Sequence, residues 1–205
     1  MALDSYPDLL TAIANYAFRS GDSDFTATVP TFITLLESRV NRRLRLREQE
    51  TAATLTLTDG AASLPADYLE FREVRSNGNP VRVLEAVSTG FGTENNPYGD
   101  AGASWYFSVS GNTLKTYPSS NSSLTLLYYA KVPALSASAP SNWLLAKAPE
   151  VYLYGALLEA QPFMMDDARM AVWGTMFEDA MQALIDADTG AKYAKVARKN
   201  PGATP

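Results

Sequence analysis

The apolar residues of this chain change period twice. Near both ends they recur at steps of three and four, while from Glu50 to Pro133 they alternate. Steps of three and four place side chains on one face of a helix; alternation places them on one face of a strand. The pattern predicts helices at both ends around an inserted strand region. A length of 205 residues suits one domain, or one domain with a sizeable insertion.

The first helix opens at Ser5 or Tyr6, with Pro7 in its first turn and Asp8 at its positive end. Leu9, Leu10, Ile13, Tyr16 and Ala17 share a face, and Gly21-Asp22-Ser23-Asp24 breaks the helix. A second helix is expected from Thr28–Pro30 to about Arg47, on a stripe of Ile33, Leu36, Val40 and Leu44. Toward the other end, Ala134–Pro140 reads as a linker and Pro149-Glu150 as a first turn. From there the pattern predicts two amphipathic helices meeting at Gln161-Pro162-Phe163. Val151, Tyr154, Leu157 and Leu158 form the apolar face of the first. Asp166 and Asp167 are expected to cap the second. Its stripe runs through Val172, Trp173, Met176, Phe177, Ala180, Met181, Leu184 and Ile185. This hairpin, Pro149–Asp188, is the strongest pattern in the chain, and it is a pattern of packing.

In the middle, Ala53–Leu57 alternates and turns at Thr58-Asp59-Gly60 into Ala62–Leu64. Tyr68–Arg75 is strand-like, and Asn77-Gly78-Asn79 is a hairpin signal before Val81-Arg82-Val83. Leu84–Ser88 reads as a short helical turn and Gly90–Ala103 as a long loop. Strands follow at Trp105–Val109, Thr113–Tyr117 and Leu124–Lys131. Five to seven short strands at hairpin spacing are expected to be mostly antiparallel.

The chain contains no histidine and no cysteine. Thiolate nucleophiles, disulfides and histidine- or cysteine-ligated metals are thereby excluded, and with them the commonest general base. No cofactor is expected. No run of 18 apolar residues is present, so no membrane-spanning helix is expected, and the N-terminus MALDSYPDLL lacks the pattern of a signal peptide. The net charge of −5 opposes a tight grip on nucleic-acid phosphates; it suits a wall that DNA slides past and is equally the ordinary way for a chain to stay soluble.

Carboxylates remain. Asp166-Asp167 are neighbours whose side chains diverge by about 100° on a helix, so capping explains them better than ligation. Glu178-Asp179, Asp186 and Asp188 read as solvated, and a glycosidase-like pair needs two acids that only the fold brings together. Gly90-Phe91-Gly92-Thr93 lacks the Lys-Ser/Thr of a phosphate loop. Trp105, Tyr106, Phe107, Tyr117, Tyr128 and Tyr129 lie among aliphatic strand residues, which favours core and interface packing over a stacking surface for sugars or bases. Met164, Met165, Met170 and Met176 read as adaptable packing.

Two basic clusters stand out. Arg39, Arg42, Arg43, Arg45 and Arg47 put five arginines in nine residues at the end of the second helix. They fit a solvated face complementing the negative helix end, an ion-paired patch against a neighbouring subunit, or a DNA contact. The polar C-terminal stretch carries Lys192, Tyr193, Lys195, Arg198 and Lys199 and ends in Asn200-Pro201-Gly202. Such a tail orders on a partner.

Three pieces, with the N-terminal helix pair, carry a resemblance: Leu64-Pro65-Ala66-Asp67-Tyr68-Leu69-Glu70-Phe71; Tyr154–Ala160 followed by Pro162-Phe163 and Asp167-Ala168-Arg169; and Trp173 with the helix after it. Phe32-Ile33 and Glu37-Ser38-Arg39-Val40-Asn41-Arg42 match on the N-terminal side. In this order and spacing, from about Tyr6 to Asp188, the chain resembles the head-to-tail adaptors (connector or tail tubular proteins) of short-tailed bacteriophages. The resemblance implies a structural virion protein of the neck, without catalytic activity, assembled in the bacterial cytoplasm. It implies a ring, commonly of twelve copies, docked under the portal protein, meeting the tail nozzle or fibres, with DNA passing through its lumen during ejection. Carried onto this chain, Lys192, Tyr193, Lys195, Arg198 and Lys199 become portal-docking residues. Charge, rather than a family motif, makes Arg39, Arg42, Arg43, Arg45 and Arg47 an intersubunit patch. The expected fold is α+β, a four-helix bundle with an inserted antiparallel β domain and an extended C-terminal tail. Its expected parts are residues 1–48, 49–133, 134–188 and 189–205. A tail-borne carboxylate-dependent peptidoglycan hydrolase and a carbohydrate-binding module are the alternatives.

Overall fold

In the computed structural model, which describes residues 3–90, 104–164 and 169–193, Ser5 starts the first helix, α1 (Tyr6–Tyr16). Its hydroxyl accepts from the Asp8 N–H, Pro7 occupies the first turn, and Leu9 and Ile13 are fully buried. Helix α2 (Ser23–Arg43) begins earlier than its apolar stripe suggests. Asp22 caps it, its carboxylate accepting from the N–H groups of Asp24 and Phe25 at 3.1 and 3.0 Å. Pro30 therefore stands inside the helix rather than at its start. An interior proline removes one ladder hydrogen bond and costs about 3 kcal/mol. Burial of Phe25, Val29 and Phe32 on either side of it opposes that cost.

The chain divides into two units, residues 1–47 with 132–205, and residues 48–131. The first holds α1, α2, α3 (Trp143–Lys147), α4 (Pro149–Glu159), the single turn α5 (Gln161–Met164) and α6 (Met170–Tyr193). Four of its helices are long, but they do not make the expected four-helix bundle. In a bundle every helix turns one stripe to a shared axis and one polar face to water. Helix α4 has no such polar face: Val151, Tyr152, Leu153, Gly155, Ala156 and Leu157 are all buried, and α1, α2, α3 and α6 pack around it. Lengths of 11 residues for α1 and α4 against 21 and 24 for α2 and α6 also rule out four rods running side by side. The stripe on α6 is narrower than predicted: Trp173, Phe177, Ala180, Met181 and Leu184 are buried, while Val172 and Met176 face solvent.

The second unit contains β1 (Glu50–Thr56), β2 (Ala61–Ser63), β3 (Tyr68–Ser76), β4 (Glu85–Ala86), β5 (Tyr106–Ser110), β6 (Thr113–Tyr117) and β7 (Ser123–Ala130). They form two sheets, ordered β1-β7-β3 and β2-β6-β5-β4. The pairing is mostly antiparallel, as expected, with β4 the exception: it lies parallel to β5. Leu84–Ser88 was the predicted helical turn; instead the N–H groups of Glu85 and Val87 donate to the carbonyls of Trp105 and Phe107, which makes the segment an edge strand. Val81–Val83 forms only an isolated bridge from Val83 to Arg75. The turn between β1 and β2 has positive φ at Asp59 (50°) and Gly60 (75°), as a type I′ hairpin requires. Leu55, Val74, Phe107, Leu114, Leu124, Leu126 and Tyr128 belong to the core of this unit.

Gly155 shows how closely α4 is held. A Cβ there would meet Leu36 Cδ1 and lie 2.9 Å from Phe177 Cε2. At Gly174 on α6 the nearest atom, Leu158 Cδ2, is 3.9 Å away. Gly→Ala in a helix gains roughly 0.5–1 kcal/mol when space allows, and overpacking a core costs typically about 1–3 kcal/mol. Gly155→Ala is expected to lower stability and Gly174→Ala to raise it. Urea unfolding of the two variants checks this, and an equal gain in both would remove the close approach as a constraint.

Candidate interaction surfaces

Four of the five arginines at the end of α2 are engaged within the chain itself. Arg39 pairs with Glu159, the last residue of α4, at 2.6 Å. Arg43 meets Glu178 of α6 through two parallel hydrogen bonds of 2.7 and 2.5 Å and lies 5.9 Å from the Phe177 ring. Arg47 donates its Nε to Asp188 at 2.9 Å, and the same carboxylate oxygen accepts the Arg47 backbone N–H at 3.2 Å. Arg45 donates to the carbonyls of Asn41 and Leu44 at 2.8 and 2.6 Å, satisfying acceptors left open at the helix end. Arg42 is exposed. Hydrogen bonding from Arg43 holds the Glu178 carboxyl below the usual carboxylate range, and Glu178 in turn raises the Arg43 guanidinium.

Of the C-terminal residues, Lys192 and Tyr193 stand on the last turn of α6. Lys195, Arg198 and Lys199 lie outside the described residues, as do Asp166 and Asp167.

Apolar side chains at the surface of the helical unit mark a second candidate region. Phe18, just past α1, is 82% exposed and takes a left-handed backbone, φ 57°. Non-glycine residues adopt this conformation at a cost that surrounding structure must offset. The Arg169 guanidinium lies 4.8 Å from the Phe18 ring and 5.0 Å from that of Trp173, and donates to the Tyr16 carbonyl at 3.1 Å. Together with Asn15 these residues border an open cleft of about 420 Å3. Phe163 is half-exposed, its ring edge-on to Phe25 and Phe32. In the strand unit, Phe107 and Tyr128 are buried, whereas Trp105 is 46% exposed and carries the Arg82 guanidinium 4.1 Å above its ring. The Tyr128 hydroxyl donates to Asp67 at 3.0 Å, and burial with this partner pushes it up to about 12.

Glu37 is a buried charge that the helical pattern conceals. It sits on the apolar face of α2 and is 8% exposed. Its Oε1 accepts from the Leu135 N–H at 2.8 Å and from the Tyr152 hydroxyl at 3.2 Å. Asn142 Nδ2 donates to the same Tyr152 oxygen at 2.7 Å and to the Pro133 carbonyl at 2.6 Å. The network ties the irregular segment 132–142 to α2 and α4. Burial raises the Glu37 carboxyl, although both hydrogen bonds pull the other way.

Among the described residues, no group of three or more carboxylates is placed to hold a metal ion. Glu178 is taken up by Arg43, and Asp186 accepts from Gln182 at 2.8 Å. Among the described residues no helix is long and apolar enough to cross a membrane.

Two tests follow from burial. Asp188 and Glu178 each pair with an arginine, but the Asp188 side chain is 3% exposed and that of Glu178 57%. Asp188→Ala is expected to cost about 1–3 kcal/mol, because it removes a buried carboxylate that accepts the Arg47 backbone N–H and guanidinium. Glu178→Ala should cost below about 1 kcal/mol. The opposite order in urea unfolding would overturn the assignment. For Glu37 the folded state holds its proton more tightly than the unfolded chain, so ionisation weakens the fold. Its contribution is present below the ordinary value of 4.5 and lost as pH rises through the raised folded value. Glu37→Gln should therefore gain stability relative to the unsubstituted chain as pH rises through that window. A difference independent of pH would show that the carboxyl is not shifted.

The profile of the SU10 adaptor protein family matches residues 4–202. No curated protein matches the sequence.

Proposed function

The chain belongs to the SU10 adaptor protein family, and we propose that it is the head-to-tail adaptor of a phage virion: copies form a ring that binds the portal and joins it to the tail nozzle or fibres, enclosing part of the DNA ejection channel. The observation that carries this reading is the near full-length family match. The exposed apolar side chains of the helical unit support it, since Phe18, Val172 and Met176 leave surface for neighbouring chains to cover. Twelve copies is the proposed ring size.

In this reading Lys192, Tyr193, Lys195, Arg198 and Lys199 form the portal-docking arm. The arginine cluster serves the ring in two ways. Arg39, Arg43 and Arg47 fix the helices whose outer faces meet the next subunit, and exposed Arg42 contributes charge to the contact itself. The role needs no catalytic residue and no cofactor.

Removal of Lys192–Pro205 is expected to abolish binding to the portal while leaving a folded monomer. Sedimentation with and without portal, alongside circular dichroism of the truncated chain, measures both. Intact portal binding after truncation would refute the docking arm.

A further inference from the structure

A sheet edge exposes a row of unpaired N–H and C=O groups, and proteins blunt such edges by shortness, charge or bulges. Three of the four edges in the strand unit carry these devices. Strand β2 has three residues and β4 has two. Strand β3 is bulged at two places, carries Glu70, Arg72, Glu73 and Arg75, and is bridged by Val83. Strand β1 has none of them. Its seven residues pair with β7 in unbroken register from Glu50 to Thr56, and among the described residues no strand pairs with its other side. Residues 51–56, Thr-Ala-Ala-Thr-Leu-Thr, contain neither charge nor proline, and Glu50 is engaged by Arg72. Thr51, Ala52, Thr54 and Thr56 are exposed.

A second observation points to the same place. After the Thr58–Ala61 bridge, β1 and β2 diverge into different sheets. The open cleft at the divergence, about 390 Å3, is lined by Thr56, Thr58, Ala61, Ala62, Ser63 and Thr113, with no charged side chain.

We propose that β1 receives an extended, uncharged segment of another virion protein as an added strand running into this cleft. The proposal rests on the adaptor reading and names the form of one of its contacts. The exposed backbone ladder accepts only an extended chain, of about seven residues at roughly 3.3 Å each. The neutral surroundings offer nothing to neutralise a charged segment. Alternate side chains of the added strand lie over Ala53 and Leu55, at the border of the buried cluster. A second copy of this chain is a poor donor: among the described residues its only unblocked edge is β1 itself, and pairing β1 with β1 closes two copies on each other instead of building a ring.

The chain lacks cysteine and is easily labelled at one site. The experiment places a benzophenone side chain at position 54 of the full-length protein and irradiates assembled phage particles. A cross-link to an uncharged segment of a different virion protein is expected. Amide exchange over residues 50–56 should also be slower in the particle than in the free chain. Thr54→Lys should leave folding and portal binding unchanged and lower the yield of tail-joined particles by about tenfold, since an edge lysine blocks strand addition. A cross-link to a second copy overturns the proposal, as do unchanged exchange over residues 50–56 and a normal yield with Thr54→Lys. Loss of portal binding by the unsubstituted chain would instead overturn the adaptor reading.

Discussion

A helix with no side to give to water must be enclosed by others, and in the helical unit that helix is α4. Its charged residues, Glu150 and Glu159, stand near its two ends, and Arg39 takes up the second. Between them Val151, Leu153, Ala156 and Leu157 are buried, each larger aliphatic side chain worth roughly 1.5–3 kcal/mol relative to exposure. Gly155 lets Leu36 and Phe177 approach the α4 backbone, so α2 and α6 both close on it. The buried Tyr152 hydroxyl in this stretch is met by Glu37 and Asn142. That solution brings the irregular segment 132–142 into the same body and explains why a glutamate stands on the apolar face of α2.

Local rules made much of this legible. Ser5 with Pro7 and Asp8 marks a helix start by chemistry contained in four residues. Asp59-Gly60 marks a hairpin because few sequences accept two positive φ values. The errors have equally definite causes. Pro30 resembles a first-turn proline, but the Asp22 cap and the tertiary burial of Phe25 and Val29 extend α2 ahead of it. Helix α4 was assigned an apolar face through Val151, Tyr154, Leu157 and Leu158, although Tyr152, Leu153 and Ala156 make it apolar all round, a signature of enclosure present in the sequence. The parallel strand β4 is two residues long and owes its existence to the carbonyls of β5, which no local pattern encodes.

The arginine cluster shows where sequence reading stops at a surface. Five cations in nine residues look outward because their partners are far away in the chain. Arg43 and Glu178 are separated by 135 positions, and Arg47 and Asp188 by 141. Only the fold makes them neighbours, and it turns most of the cluster into ties between helices. Among the described residues, what the helical unit exposes includes a set of apolar side chains. Phe18 is its clearest member, being exposed and held in a backbone conformation that phenylalanine does not favour.

The central position of α4 also sets an order of events on the ribosome. Helices α1 and α2 are complete by Arg43, but the helix that covers them ends at Glu159. The strand unit, residues 48–131, lies entirely between. At the usual speeds of synthesis, the apolar faces of α1 and α2 wait on the order of ten seconds for their cover. The strand unit has all of its own sequence by residue 131, before the covering helix is made, and can close without it. Between residues 131 and 159 the nascent chain thus holds every strand of the β unit and two helices still without their cover, the stage at which a chaperone has most to hold.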